Sequence, residues 1–232
     1  MTIVVGAVAA LLAAAGALAD VAIGMTTGGD ISALPHDAAG RFAELIAAPA
    51  LGLYHLDLLN LITTLVMIPA LYACWIVLRR EGPAAGLAVT LGMVGAAVFV
   101  ANNPALGMLG LARDFANADP SRRALLSAAG EAILAKGAHG SPGVLPGFLL
   151  PTLANIVLAG EMLRTKSFAR VVGILGFAGN LLLAAYLALV TFLPGVRDTA
   201  MAFAAPGGLL ATAWTVLLGV GLFRLSRSPR TA

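Results

Sequence analysis

Six long apolar segments constrain the fold of this chain more than any other feature. They run over Ile3–Met25, Leu51–Leu78, Ala84–Pro104, Val144–Leu163, Phe168–Leu193 and Pro206–Phe223. A helix needs about 20 predominantly apolar residues to cross the hydrocarbon core of a bilayer. Each segment is about that long, so the sequence predicts an all-α, polytopic membrane bundle with six transmembrane helices.

The composition fits a membrane protein and no soluble domain of this size. Only 11% of the 232 residues are charged, whereas soluble domains average about 25%. No long polar block separates the apolar segments, so residues 1–232 are expected to form a single integral membrane domain. The net charge of +3 is spread over short connections, and we therefore expect the lipid bilayer, and no nucleic acid, as a partner.

Basic residues gather in alternate connections and predict the orientation of the bundle. They are Arg79 and Arg80, then Arg164, Lys166 and Arg170, and finally Arg224, Arg227 and Arg230. The positive-inside rule places these connections in the cytoplasm. Six spans then put both termini in the cytoplasm. The connections Thr26–Ala50, Ala105–Gly143 and Pro194–Ala205 face outward.

The first span has an alternative interpretation as a signal peptide. Ala17-Leu18-Ala19 matches the small-residue pattern of a cleavage site. No Lys or Arg precedes the apolar stretch, however, and signal peptides begin with a basic region. We therefore expect a retained span.

Two of the outward connections carry helical patterns. Ser121 is a suitable cap for a helix that Gly137 ends, and a second helix is predicted from His36 to Ala48, ending at Pro49. In the segment from Ser121 to Gly137, apolar residues favour one helix face. Both are predicted to be short amphipathic helices that lie on the outer membrane surface or over the bundle.

The polar side chains within the apolar segments are the best indication of a functional site, because charges in lipid are costly. Asp57, Asn60 and Thr64 have i, i+3, i+7 spacing and share one helix face. His55 lies two residues from Asp57 and is expected to face a different neighbour. Asp20 lies near the outward end of the first span, on the same side of the membrane as Asp57.

The fourth span adds a proline break beside an asparagine. Pro151 frees the carbonyl of Gly147, and Asn155 lies one turn beyond the break. Broken helices near polar side chains form the binding sites of many transporters. The alternative is that the prolines are packing features, which membrane helices tolerate. The predicted ligand-binding residues are thus Asp57, Asn60, Thr64, Asp20 and Asn155.

Glycines recur at helical spacing and predict close helix packing. Gly173, Gly176 and Gly179 follow one another along the fifth span. Small residues let helix backbones approach in membrane bundles. These surfaces are expected to serve packing within the chain, contact with a partner subunit, or a homo-oligomer.

The three histidines suggest a further alternative. His36, His55 and His139 all fall on the outward side of the predicted topology, and Asp20, Asp37 and Asp57 share that side. Imidazoles with carboxylates can hold a metal ion that activates water. Their spacing matches no metal motif, so no cofactor is predicted and a metal ion stays an alternative. No nucleophile elbow, phosphate-binding loop or CxxC pair indicates an enzyme.

The segment from His139 to Leu183 resembles a bacterial family of six-span membrane proteins catalogued as "domain of unknown function 4386". The similar landmarks are His139, Gly147, the basic turn Arg164–Arg170 and Gly173, and Leu56–Asn60 is compatible. This chain has Phe168-Ala169 where that family often has a proline before the arginine. The resemblance implies a multi-pass protein of the bacterial cytoplasmic membrane and no known activity.

Three functions remain open on the sequence. The first is an outward-opening polar pocket that binds or translocates a small molecule, ion or proton, as the polar face and the broken fourth span indicate. The second is an accessory or assembly subunit of a membrane complex, which the glycines at helical spacing indicate. The third is a metal-dependent membrane hydrolase that uses the histidines.

Overall fold

The structure is a computed structural model that describes residues 1–26, 34–193 and 195–227, with the side chains of residues 197 and 198 left aside. These residues form helices and no strand. The helices are α1 Thr2–Thr26, α2 Ala38–Ala47, α3 Pro49–His55, α4 Leu58–Leu78, α5 Ala85–Asn102, α6 Ala105–Ala116, α7 Pro120–Gly137, α8 Leu145–Thr165, α9 Arg170–Phe192 and α10 Arg197–Arg227.

Six helical segments are long and apolar enough to cross a membrane, as the sequence predicts. They are α1, α4, α5 with α6, α8, α9, and α10 from Thr199 onward. The all-helical fold with six helices that could span a membrane is thereby confirmed. The orientation of the termini stays a prediction, and Arg230, one of the residues on which it depends, lies outside the described residues.

Two predicted boundaries are wrong. The second span was expected as one helix over Leu51–Leu78, but the helix ends at His55 and restarts at Leu58. Asp57 causes the break because its φ of 62° lies in the left-handed region. The sixth span was expected to begin at Pro206, but α10 begins at Arg197 and contains that proline. The predicted third, fourth and fifth spans agree with α5, α8 and α9 to within two residues.

The long helices form a closed ring. Around it, α1 packs on α4, α4 on α5, α5 on α8, α8 on α9, α9 on α10, and α10 again on α1. At one end the interior is filled by a core that includes Leu78, Leu158, Met162 and Leu222. This end also carries the turn at Gly82, where Arg164 bonds the Glu81 carbonyl and the buried carboxylate of Glu161. The opposite end is less filled, and the polar site lies there.

Four shorter helices cover that less filled end. α2, α3, α6 and α7 share a separate apolar cluster that includes Phe42, Leu45, Leu56, Met108 and Leu134. α2, α6 and α7 lie in the two connections in which the sequence predicts helices, whereas α3 lies mostly within the predicted second span. Their position relative to a membrane surface stays a prediction.

The starts and ends of these helices differ from the predictions. α7 is capped by Asp119, whose Oδ1 accepts the Arg122 N–H at 2.9 Å, and the expected cap Ser121 is already inside the helix. Asp119 is a good capping residue, and the proline that follows it suits the first helical position. The helix therefore begins two residues before its predicted start. α2 begins at Ala38 after the cap Asp37, and ends at Ala47.

The glycine ladder of α9 lies against two neighbouring helices. A Cβ on Gly173 would lie 2.6 Å from Leu163 Cγ in α8, and one on Gly176 would lie 2.6 Å from Trp214 Nε1 in α10. A Cβ on Gly179 would lie 2.6 Å from the backbone nitrogen of Ala211. These glycines therefore serve helix packing within the chain.

Candidate functional site

Asp57 lies at the junction between α3 and α4, where the chain changes direction. Aspartate tolerates the left-handed conformation better than most residues, because its short polar side chain can bond locally. Its backbone oxygen accepts the Leu61 N–H at 2.9 Å and starts α4. The residue is only 8% exposed and lies inside the ring. The break between α3 and α4 thus places a carboxylate at the less filled end of the helix ring.

A hydrogen-bonded chain of four side chains runs through this carboxylate. Asn60 Nδ2 donates to Asp57 Oδ1 at 2.8 Å, and His139 Nδ1 lies 3.1 Å from Asp57 Oδ2. On the other side of the imidazole, His139 Nε2 lies 2.9 Å from the Tyr186 hydroxyl. The chain joins α4, the connection before α8, and α9. It therefore ties three parts of the sequence together at one end of the bundle.

The charges in this chain stabilise each other. Burial by itself raises the pKa of Asp57, but the positive charge and hydrogen bond of His139, with the Asn60 amide, outweigh burial and lower it. The negative charge of Asp57 raises the pKa of His139 although burial opposes this. His139 is therefore an imidazolium that donates one ring N–H to Asp57 and the other to Tyr186.

This ion pair gives a specific dependence of stability on pH. The raised pKa of His139 stabilises the fold fully below its unfolded value of 6.5, and the contribution is lost as the pH rises through the folded value. The lowered pKa of Asp57 stabilises the fold fully above 3.8, and that contribution is lost as the pH falls through the folded value. The pair therefore contributes most between pH 3.8 and 6.5.

The difference in unfolding free energy between wild type and Asp57→Asn measures this contribution. We expect it to be largest near pH 5.5 and to shrink steadily as the pH is raised to about 10. Unfolding in mixed micelles at several pH values gives the measurement. A difference that stays constant over this range would contradict an ionised pair.

An outer cavity of about 470 Å³ opens beside the chain. Its polar lining includes Asp20, Tyr54, Asp57, Asn60, His139 and Tyr186, and its apolar lining includes Phe148, Leu183, Leu187 and Met201. The Tyr54 hydroxyl donates to the Asp20 backbone oxygen at 3.0 Å and ties α3 to α1. Among the described residues, no basic side chain lies within 4.0 Å of the Asp20 carboxylate.

A smaller inner cavity of about 250 Å³ lies deeper in the ring. Its polar lining consists of Thr63, Thr64, Thr152, Asn155, Asn180, Trp214 and Thr215. It shares with the outer cavity the lining residues Ala17, Phe148, Thr152, Leu183, Ala211 and Thr215. The two cavities are therefore neighbours with common walls.

The structure separates the five predicted ligand-binding residues between these cavities. Asp20, Asp57 and Asn60 line the outer cavity, and Thr64 and Asn155 line the inner one. Among the described residues, Asn155 does not bond the Gly147 carbonyl that Pro151 frees. Asn155 Nδ2 instead donates to Asn180 Oδ1 at 3.1 Å, and Asn180 Nδ2 donates to the Gly176 carbonyl at 2.8 Å.

The histidines have different partners. His55 Nδ1 contacts the Glu44 carboxylate, which Arg41 also binds at 3.1 Å. His36, His55 and His139 all line a third cavity of about 380 Å³. Within residues 1–26, 34–193 and 195–227, no group of three or more His, Cys, Asp or Glu side chains is arranged to hold a metal ion.

Sequence reasoning missed several partners at the site. Tyr186, Asn180 and Glu44 were not predicted as contacts of His139, Asn155 and His55. The available signal was a polar group inside an apolar run, which both Tyr186 and Asn180 provide in the fifth span. That signal cannot select a partner, because the pairing depends on how α8 and α9 pack.

Comparison of the chain with protein-family models, curated proteins and solved structures finds no match. The resemblance to the bacterial six-span family stays a prediction, and so do the roles as an accessory subunit and as a metal-dependent hydrolase. Support for a function comes from the chemistry of the cavities.

Proposed function

We propose that this chain is an integral membrane protein that binds, or moves across the membrane, a small molecule, ion or proton through the outer cavity. The observation that carries the proposal is that two carboxylates, Asp20 and Asp57, and two imidazoles, His55 and His139, line a single cavity inside an otherwise apolar ring. Ionisable groups inside a membrane bundle are costly, and they usually mark the path of an ion or substrate.

The balance of charge favours a positive ligand. The imidazolium of His139 neutralises Asp57, its partner at 3.1 Å, while Asp20 has no basic partner within 4.0 Å among the described residues. With both carboxylates ionised, Asp20, Asp57 and His139 together carry one net negative charge, while His55, which also lines the cavity, contacts the Glu44 carboxylate. A cation or a proton in the cavity completes the neutralisation, and the low dielectric of the surroundings strengthens that attraction.

The hydrogen-bonded chain also offers a route for a proton. His139 is bonded through both ring nitrogens, to Asp57 on one side and to Tyr186 on the other. The imidazolium can release the proton of one nitrogen and then accept another proton on that nitrogen or from the opposite side. Protonation of Asp57 would break its pairing with His139, so ligand binding and proton binding at this site are expected to be coupled.

We further propose that this end of the bundle faces outward from a bacterial cytoplasmic membrane. The basic residues Arg79, Arg80, Arg164 and Lys166 lie at the opposite end, where the turn at Gly82 meets Glu161. The positive-inside rule favours the cytoplasm for that end.

A panel of small solutes tests the proposal by thermal stability. Purified protein in lipid nanodiscs is heated with sodium, potassium, propylammonium, glycine, glycerol or acetate. A ligand at about 100 times its Kd stabilises the folded state by about 2.7 kcal/mol, which raises Tm by several degrees. We expect at least one positively charged probe to do this in wild type.

Three variants connect the effect to the cavity. Asp57→Asn and Asn60→Ala are expected to reduce the stabilisation, because both side chains line the outer cavity. Asp114→Asn removes an exposed carboxylate of α6 and serves as the matched control with an unchanged response. A panel without any Asp57-dependent stabilisation would contradict the proposal.

A further inference from the structure

The inner cavity presents hydrogen-bond acceptors. The hydroxyls of Thr63 and Thr64 both donate to the Asn60 carbonyl, at 3.0 and 2.8 Å. Those of Thr152 and Thr215 donate to the Phe148 and Ala211 carbonyls, each at 2.8 Å. A hydroxyl has one hydrogen and two lone pairs. While it keeps this backbone bond, each of these oxygens can only accept from a molecule in the cavity.

Asn155 adds an amide oxygen to this set. Its Nδ2 gives one of its two N–H groups to Asn180 Oδ1 at 3.1 Å, and its own Oδ1 is left as an acceptor. The indole N–H of Trp214, which is buried and has no acceptor among the described residues, packs against Gly176. The described residues that line this cavity include no charged side chain. The inner cavity is thus rich in neutral oxygen acceptors.

A primary ammonium group matches this lining better than other small groups. It carries three N–H donors and no acceptor, so each donor can meet one of the threonine or amide oxygens. Its positive charge suits the outer cavity, which shares the walls at Thr152 and Thr215 and in which Asp20 has no basic partner within 4.0 Å among the described residues. The volume of about 250 Å³ has room for such a group with a short alkyl chain.

We propose that the inner cavity binds the ammonium group of a small primary amine. The inference rests on the proposed function, because the outer cavity is the expected entry to this site. It names the ligand class: a monovalent organic cation with N–H donors. The threonine and asparagine oxygens recognise the donors, and Asp20 with Asp57 attracts the charge.

Trp214 supplies a direct reporter, because it lines the inner cavity. The chain has two tryptophans, so the Trp75→Phe variant leaves Trp214 as the only indole. In nanodiscs containing this variant, titration with propylammonium chloride is expected to change the Trp214 emission and to reach saturation. Further replacement of Thr152 and Thr215 by valine, which keeps their shape, should weaken binding at least tenfold. Thr90→Val, at an exposed hydroxyl of α5, is the matched control and should leave binding unchanged.

Three further probes show which feature of the ligand the cavity recognises. Tetramethylammonium has the charge without N–H donors, propanol has similar size without the charge, and sodium has the charge without an alkyl chain. Equal affinity for any of these and for propylammonium would overturn the inference. Unchanged propylammonium affinity in the double valine variant would also overturn it. Thr215→Val alone, at a partly buried position, should weaken binding several-fold and replaces the double variant if that one does not fold.

The outcome for this inference is separable from the outcome for the proposed function. Asp57-dependent stabilisation by sodium or potassium, without saturable propylammonium binding, would overturn the amine site and leave the proposed function standing. Absence of both would overturn both.

Discussion

Replacing Asp57 by alanine is expected to destabilise the protein by about 3 kcal/mol. The change removes the carboxylate that binds His139 at 3.1 Å and Asn60 at 2.8 Å. It also places a β-carbon without a polar group at a φ of 62°, which costs about 1 kcal/mol. The His139 side chain is 30% exposed toward the cavities, so the loss of the ion pair is smaller than for a fully buried pair.

Asp57→Asn separates these two contributions. Asparagine tolerates the left-handed conformation as well as aspartate does, so this variant loses the charge and keeps the backbone geometry. We expect a loss of about 1 to 2 kcal/mol, measured as the free energy of unfolding in mixed micelles. Asp114→Asn should stay within about 0.5 kcal/mol of wild type. Wild-type stability of Asp57→Ala would show that the carboxylate makes neither contact in the folded protein.

Replacing Gly179 by leucine is expected to cost more than about 3 kcal/mol and to separate α9 from α10. A β-carbon at this position would lie 2.6 Å from the Ala211 nitrogen and 2.9 Å from Leu210 Cβ. The nearest atom belongs to the backbone of α10, so relief requires the helices to move apart. Because Ala211 lines both cavities, this movement should also abolish ligand-dependent stabilisation.

Gly160 gives the matched control for this steric effect. A β-carbon on Gly160, in α8, would meet no atom within 4 Å. Gly160→Ala is therefore expected to be neutral or to stabilise the protein by up to about 1 kcal/mol through helix propensity. Gly179→Ala should lose about 1 to 3 kcal/mol in the same unfolding assay. Similar effects of the two alanine variants would contradict the close contact of α9 and α10.

The spanning segments were predictable because hydropathy over about 20 residues is a strong signal. The break between α3 and α4 was not, because it depends on one non-glycine residue with positive φ. Such a conformation leaves no trace in apolar periodicity. At Pro206 the prediction failed in the other way: the sixth span was expected to begin there, but α10 continues through this proline.

The candidate site was predictable in part. The sequence predicts Asp57 and Asn60 on one helix face, and their side chains do bond, although Asp57 precedes α4 instead of lying within a longer helix. The contact of His139 with Asp57 spans 82 residues and depends on how the connection before α8 folds over the ring. Local spacing carries no information on such a contact. The same holds for the pairing of Asn155 with Asn180.

Cysteine labelling tests the central claim, an outward-opening polar cavity in a membrane bundle. Cys74 is the only cysteine and is buried, so Cys74→Ala gives a cysteine-free background. Met201 lines the outer cavity and is 45% exposed, which makes Met201→Cys the reporter. Arg80→Cys, exposed at the opposite end of the bundle, is the control.

A small, positively charged and membrane-impermeant thiol reagent is added to intact cells and, separately, to inverted membrane vesicles. Labelling of Met201→Cys in cells and of Arg80→Cys only in inverted vesicles is the expected result. Labelling of Met201→Cys only in inverted vesicles, or from neither side, would contradict an outward-opening cavity.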